Sequence, residues 1–323
     1  MISFIVIGKN EGWKLTTCFE GVFRAIEHNN IKDYEVIYVD SQSTDDSIQR
    51  AKSFSQVKIF QLGNVCNAAI ARNVGVEESS GEVLFFIDGD MEITSDFLPL
   101  VYDEKSGLKY PFVSGQLKNY NYDSQNQFLS NTWQYREVLN GDKRYATTGG
   151  IFLIQRELWV GVGGMDNRFK RGQDLELGLR LAKKGFKILR KQEIIAKHYT
   201  IAYTHPSRIW KIIFSGDIAY ANSFLLKKHF LNIYIYSRLF RSYYTLFSFF
   251  FFLTISIVLN NFYYLLGYLF FIGIKTYKNK VLDLLRLFEL FIYFIVCDFS
   301  FLFYLVIPHN SIDKSKITYS IIQ

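Results

Sequence analysis

Cysteine is scarce in this chain: Cys18, Cys66 and Cys297 are the three among 323 residues. No two are close in sequence, so they make neither a disulfide framework nor a zinc site, and a reducing compartment is expected. No Gly-x-Gly-x-x-Gly follows the first strand-like run, which leaves a dinucleotide oxidoreductase unsupported. No Gly-x-x-x-x-Gly-Lys-Ser/Thr occurs either, which excludes a P-loop nucleotidase. The opening run, Ile2-Ser-Phe-Ile-Val-Ile7, is too short and too uncharged at its start for a signal peptide, so the soluble part is expected in the cytoplasm. The net charge of +7 is modest and does not by itself indicate nucleic acid.

Apolar residues are plentiful but unevenly spread. Hydrophobic residues make up 49% and aromatics 18%, with 31 Phe and 22 Tyr. Residues 1–210 read as an ordinary soluble domain, whereas 243–307 hold long apolar runs. The chain is long enough to bury a sizeable core, as one large domain or two smaller ones.

In the first part strands and helices alternate. Strands are expected at 2–8, 34–39, 57–62 and 83–87, and helices at 14–28, 47–54 and 67–78. This repetition indicates an α/β fold with a mixed, mainly parallel sheet and helices on its faces. Ligands of such sheets bind beyond the carboxyl ends of the strands, where Glu11, Asp40, Asp88 and Asp90 all fall. Residues 109–145 are polar and mixed, read as sheet extension and loops forming one wall of a cleft.

The stretch Val83-Leu-Phe-Phe-Ile-Asp-Gly-Asp-Met91 is the densest in chemistry. Asp88 and Asp90 alternate onto one side of an extended segment, and Gly89 leaves room for a ligand to approach the backbone. Paired carboxylates there suit a hard divalent cation carrying a phosphorylated ligand. The plainer alternative is a solvated Asp-Gly turn. Later, Gln173-Asp174 opens a helix with Leu175, Leu179 and Ala182 on one face and Gly185 at its end. Asp174 is placed there either for chemistry or as a cap.

These residues resemble the family 2 glycosyltransferases of the GT-A fold over about residues 1–205. The likeness is carried by Ile7-Gly-Lys-Asn-Glu11, Val39-Asp-Ser-Gln-Ser-Thr-Asp-Asp46, Ala71-Arg-Asn-Val-Gly75, Asp88-Gly-Asp90, Gly163-Gly-Met-Asp166 and Gln173-Asp174, in that order. The resemblance implies a nucleotide-sugar donor, a divalent cation (Mn²⁺ or Mg²⁺) and inversion at the anomeric carbon. By matching position it implies that Glu11 and Asp40 bind the uridine or its ribose and that Arg72 lies near the base or the diphosphate. It further implies that Asp88 faces ribose and metal, that Asp90 is the main metal ligand, and that Asp174 is the general base. The family usually writes Glu-Asp where this chain has Gln173-Asp174. His198 is implied as a third metal ligand, with His205 as its competitor. On the residues alone, Glu11 and Asp46 could instead cap helices and Arg72 could form a surface ion pair.

After residue 205 the reading changes character. Residues 206–241, with Trp210, Ile212, Ile213, Phe214, Phe224 and Leu225 among basic residues, read as interfacial amphipathic helices or as helices packed on the sheet. Residues 242–323 read as a C-terminal membrane region. As one straight helix, 243–274 would be about 48 Å long against about 30 Å of hydrocarbon, so Asn260-Asn261 is expected to split it into a hairpin. Arg238 and Arg241 before it, and Lys275, Lys278 and Lys280 after it, place both ends on the cytoplasmic side. Residues 284–307 form a further apolar helix carrying Glu289 and Asp298, either spanning or lying partly in the interface. Asp298 is the ionisable group expected to face other helices.

The expected activity is transfer of a sugar, from an expected UDP-linked donor, to a hydroxyl of a membrane-associated or lipid-linked glycan. The rivals are a polyprenyl-phosphate glycosyltransferase and a non-catalytic nucleotide-binding membrane subunit.

Overall fold

The computed structural model describes residues 1–123, 125–135, 138–201, 210–211, 214–279, 283–308 and 316–323. The chain divides into two compact units, Met1–Ala202 with Ser311–Gln323, and Tyr203–Asn310.

The first unit opens with β1 (Ile2–Gly8), α1 (Trp13–His28), β2 (Tyr34–Asp40), α2 (Ser47–Lys52), β3 (Val57–Leu62), α3 (Ala68–Glu77) and β4 (Val83–Asp88). Every residue from Ile2 to Ile7 is buried, and alternation divides them between the two faces of the sheet. Phe4 and Val6 join Leu15, Cys18, Phe19 and Val22 of α1. Ile5 and Ile7 join Ala69, Ile70, Ala71 and Val74 of α3. Burying both faces is what makes these strands continuously apolar. The seat of α3 requires Gly75, since a Cβ there would lie 2.4 Å from Ile5 Cγ2.

Short elements follow: β5 (Met91–Ile93), α4 (Leu98–Val101), and a hairpin of β6 (Tyr102–Asp103) and β7 (Gly107–Leu108). Then come β8 (Phe112–Tyr122), β9 (Phe128–Trp133), β10 (Lys143–Tyr145), β11 (Phe152–Gln155), α5 (Arg156–Val162), α6 (Gln173–Lys183) and β12 (Ile188–Ile201). The large sheet runs β10-β12-β8-β11-β4-β1-β2-β3-β13, where β13 is Tyr319–Ile321, with β5 on β12 and β9 on β8. Its centre, β4-β1-β2-β3, is parallel, as is β8-β12, and β11 joins the halves antiparallel to both neighbours. The expected strands and helices of the first 88 residues stand where the apolar pattern puts them, within a few residues.

Strand β13 corrects an expectation. The sequence reading assigns all of 242–323 to the membrane region, yet Tyr319–Ile321 pairs antiparallel with β3. Three residues are too few to show a period, and their pairing is decided by the open edge of β3.

The second unit is helical: α7 (Asp217–Lys228), α8 (Tyr234–Val258), α9 (Leu266–Tyr277) and α10 (Leu284–Val306). The apolar run breaks at Asn260, which has φ +47°, and Asn261 accepts from Tyr263 N to start a 3₁₀ turn over Phe262–Leu265. Helix α8 departs from helical geometry at Tyr243, whose ring stacks on Phe301 at 4.2 Å. By length and composition α8 and α10 could each cross a membrane. Asp298 is fully buried and faces Tyr268 O–H at 3.3 Å. Within 206–241, Phe224 and Leu225 are buried while Trp210 and Phe214 are exposed. Ile212, Ile213 and His205 lie outside the described residues.

Candidate active site

The register of the parallel strands sets the site. Gly8 lies opposite Asp40, Asp40 opposite Gln61, and Ile7 opposite Asp88. The sequence expectation of carboxylates along one carboxyl edge is thus met by the pairing itself. Glu11 follows β1, with its backbone N–H and that of Gly12 donated to Ser47 Oγ at 3.0 and 3.1 Å. Gly12 rather than Glu11 stands at the N-cap of α1, and the Asp46 carboxylate pairs with Arg50 at 2.7 Å.

Asp88 ends β4 and forms a close ion pair with Arg72 of α3. Arg72 is 1% exposed and also donates to Gly150 O at 3.0 Å, so it is an interior clamp, not a surface ion pair. Gly150 makes the arrangement possible, because a Cβ there would lie 2.2 Å from Asp88 Oδ2. Burial raises the Asp88 pKa, opposed by Arg72 and reinforced by Asp90 and, more weakly, Asp174. That influence puts Asp174 within electrostatic reach of the edge. At Gly89 an added Cβ would meet Glu11 Cγ and Leu15 Cδ1, both at 3.2 Å. The glycine therefore makes room for Glu11, where the sequence reading gave that space to a ligand.

Asp90 meets His198, with Oδ2 3.1 Å from Nε2. Strand pairing delivers the histidine: on β12, His198 lies opposite Met91 of β5 and Asn119 of β8. Asn119 gives its amide N–H to Gln134 at 2.8 Å and accepts from His198 Nδ1 at 2.9 Å. This fixes the tautomer, so Nε2 turns a lone pair toward a carboxylate, a contact that needs a proton or a cation between them. Burial opposes charge on Asp90, but with Nε2 protonated the His198 imidazolium, and then Lys14, outweigh it and hold its pKa below the usual carboxylate range. Glu11 goes the other way. Burial and then Asp90 push its pKa up to about 7, against the pull of Lys14, whose Nζ is 3.5 Å away.

These donors fit a hard divalent cation. Two cis ligands at about 2.1 Å on an octahedral ion are about 3 Å apart, close to the Asp90–His198 separation. Among the described residues no group of three or more His, Cys, Asp or Glu could hold a metal ion. One carboxylate and one imidazole leave the remaining positions of such an ion to phosphate oxygens and water.

Asp40 is enclosed. Tyr38 O–H donates to Oδ1 at 3.0 Å, while Ser43 N (2.8 Å) and Gln61 Nε2 (3.2 Å) donate to Oδ2. Asp174 stands in the first turn of α6, after Gly172 at φ +71°. Two residues on, buried Glu176 binds Arg180 at 2.7 and 2.6 Å, and Arg180 donates to Gly164 O at 2.7 Å. That clamp ties α6 to the preceding glycine turn. Sequence reasoning missed Asn119, Gln61, Gly150 and the Glu176–Arg180 clamp. Only the last had a signal, an i,i+4 pair of opposite charges.

The glycosyl transferase family 2 model matches residues 3–165, about half of the chain. Glycosyltransferase GlyG of Streptococcus pneumoniae is 26% identical over 178 residues, 49% of this chain and 58% of that protein. The chain therefore spans just over half the length of that relative. A Methanococcus voltae protein named dolichyl N-acetyl-alpha-D-glucosaminyl phosphate 3-beta-D-2,3-diacetamido-2,3-dideoxy-beta-D-glucuronosyltransferase is 24% identical over 257 residues, 72% of this chain and 76% of that protein. Staphylococcus aureus TarS 1–349 in complex with UDP-GlcNAc superposes with a TM-score of 0.49 at 17% identity, covering 71% of this chain and 72% of that one. With a parallel strand-helix core, its carboxylates on the carboxyl edge and the matching family model, the chain belongs to glycosyl transferase family 2.

Proposed function

We propose that the chain is a membrane-anchored, inverting glycosyltransferase that moves a sugar from a nucleotide sugar, most simply a UDP-sugar, to a hydroxyl of a lipid-linked glycan. The observation that carries this reading is the gathering of Glu11, Asp88, Asp90 and His198 at one sheet edge. In single displacement the acceptor oxygen bonds to the anomeric carbon as the bond to the β-phosphate oxygen breaks. The electron pair leaves with the diphosphate, and Asp174 accepts the hydroxyl proton. Arg72 holds Asp88 in place, and Asp90 with His198 would hold Mn²⁺ or Mg²⁺. Such an ion supplies charge neutralisation for the departing diphosphate. Asp40 shapes the nucleoside side through the groups it binds.

A hydroxyl acceptor accounts for a base at position 174, since a phosphate oxygen needs no deprotonation. The acceptor's lipid character rests on α8 and α10, long and apolar enough to span, and agrees with the name of the Methanococcus relative. The basic residues flanking the apolar runs support a cytoplasmic position for the catalytic unit.

The test is a panel of nucleotide sugars offered to the detergent-solubilised full chain with a lipid-linked glycan acceptor, with and without Mn²⁺. Transfer or donor hydrolysis that needs the cation is expected, and its absence from every donor sinks the enzyme reading. Asp174→Asn should lower kcat by about 10²–10⁴-fold while donor affinity stays within a few-fold. Undiminished transfer would put the base elsewhere.

A further inference from the structure

The C-terminal strand covers the edge of β3 and also walls a cavity beside Asp40. Tyr319, Ser320 and Ile321 lie opposite Leu62, Gln61 and Phe60. The attachment continues on both sides, with Gly63 N donating to Thr318 O at 2.6 Å and Ile59 N to Gln323 O at 2.9 Å. Tyr319 packs on one face of the sheet and Ile322 on the other. Close approach depends on Gly63, where an added Cβ would meet Thr318 Oγ1 at 2.1 Å and Thr318 O at 3.0 Å.

Between this tail, the loop after β2 and the end of β3 lies a cavity of about 470 Å³, lined among others by Gln42, Thr44, Gln61, Thr318 and Ser320. Its described lining residues are all uncharged, mainly amides and hydroxyls. Such a lining reads the donor and acceptor edge of a neutral heterocycle and offers no charge to a phosphate. The cavity sits at the carboxyl end of β2 and β3, where ligands of such sheets bind. It connects to Asp40 through Gln61, which both lines it and donates to that carboxylate at 3.2 Å.

We infer that Thr318–Ser320 form a specificity-determining wall of the pocket for the donor's nucleobase, so the segment that follows the helical unit in sequence helps select the donor. The inference rests on the proposed nucleotide-sugar activity.

The test uses the full chain in detergent micelles with Mn²⁺, measuring equilibrium binding of UDP, CDP, GDP, ADP and inorganic pyrophosphate. Gly63→Val, which displaces the tail, should weaken the best-bound nucleoside diphosphate at least tenfold and flatten the ranking of the four bases. Pyrophosphate affinity should stay within twofold. Thr318→Ala with Ser320→Ala leaves the backbone free to pair, and should alter the ranking with the melting temperature held, which covers the case in which Gly63→Val fails to fold. Amide exchange at Gly63 and Ile322 should slow on adding the preferred diphosphate but not on adding pyrophosphate. An unchanged base ranking in the folded variants overturns the inference and leaves the tail as an edge cover. If the wild type binds none of the four nucleoside diphosphates, the proposed activity fails and the inference falls with it.

Discussion

Glu11 shows how far a single side chain departs from what its position in the sequence suggests. Its carboxyl, ordinarily near 4.5, is pushed to about 7 in the fold, by burial first and Asp90 second. A raised folded pKa means that its contribution to stability is complete below about pH 4.5 and is lost as pH rises through about 7. Glu11→Gln should therefore raise the melting temperature by a few degrees at pH 8 and change it little at pH 4. An equal shift at both pH values would show that Glu11 is not held protonated by its surroundings. The Arg72–Asp88 pair makes a second case. Arg72→Met should cost roughly 3–5 kcal/mol in urea unfolding, because Asp88 is left without its partner. Adding Asp88→Asn should restore part of the loss, and strictly additive costs would argue against a coupled pair. At this scale the sequence was partly legible. It exposed Asp88, Asp90 and Asp174 through their neighbours in the chain, and it hid Asn119, whose role arises only because β8 lies beside β12.

At the scale of elements, α6 carries the argument. It positions Asp174 and is held against the backbone of residues 146–148. An added Cβ at Gly178 would lie 2.8 Å from Thr147 Cα and 3.0 Å from Thr148 N. Backbone cannot yield as a side-chain tip can, so Gly178→Ala should destabilise by about 1–3 kcal/mol. It should also lower kcat more than it raises the donor KM, since it moves Asp174 one turn away. Steady-state kinetics at saturating donor would show the split, and unchanged kcat would detach α6 from the chemistry. Helix and strand limits near the N-terminus followed from apolar period and turn residues. Strand β12 did not, because its register shifts between Arg190 and Ala196 and its partners are distant in sequence.

For the whole molecule, the second unit predicts behaviour that composition alone only suggests. The chain should stay with membranes through high salt and alkaline carbonate and be released by detergent. Release by carbonate would make α8 and α10 peripheral. The sequence by itself determined the strand-helix order, the strand-end carboxylates, the break at Asn260-Asn261 and the family, because each depends on residues adjacent in the chain. Tertiary structure alone decided that His198 meets Asp90, that Gly150 makes room for Asp88, and that residues 319–321 close the sheet edge. Those contacts join segments far apart in sequence, and their geometry is set by strand pairing and close packing, which no local pattern encodes.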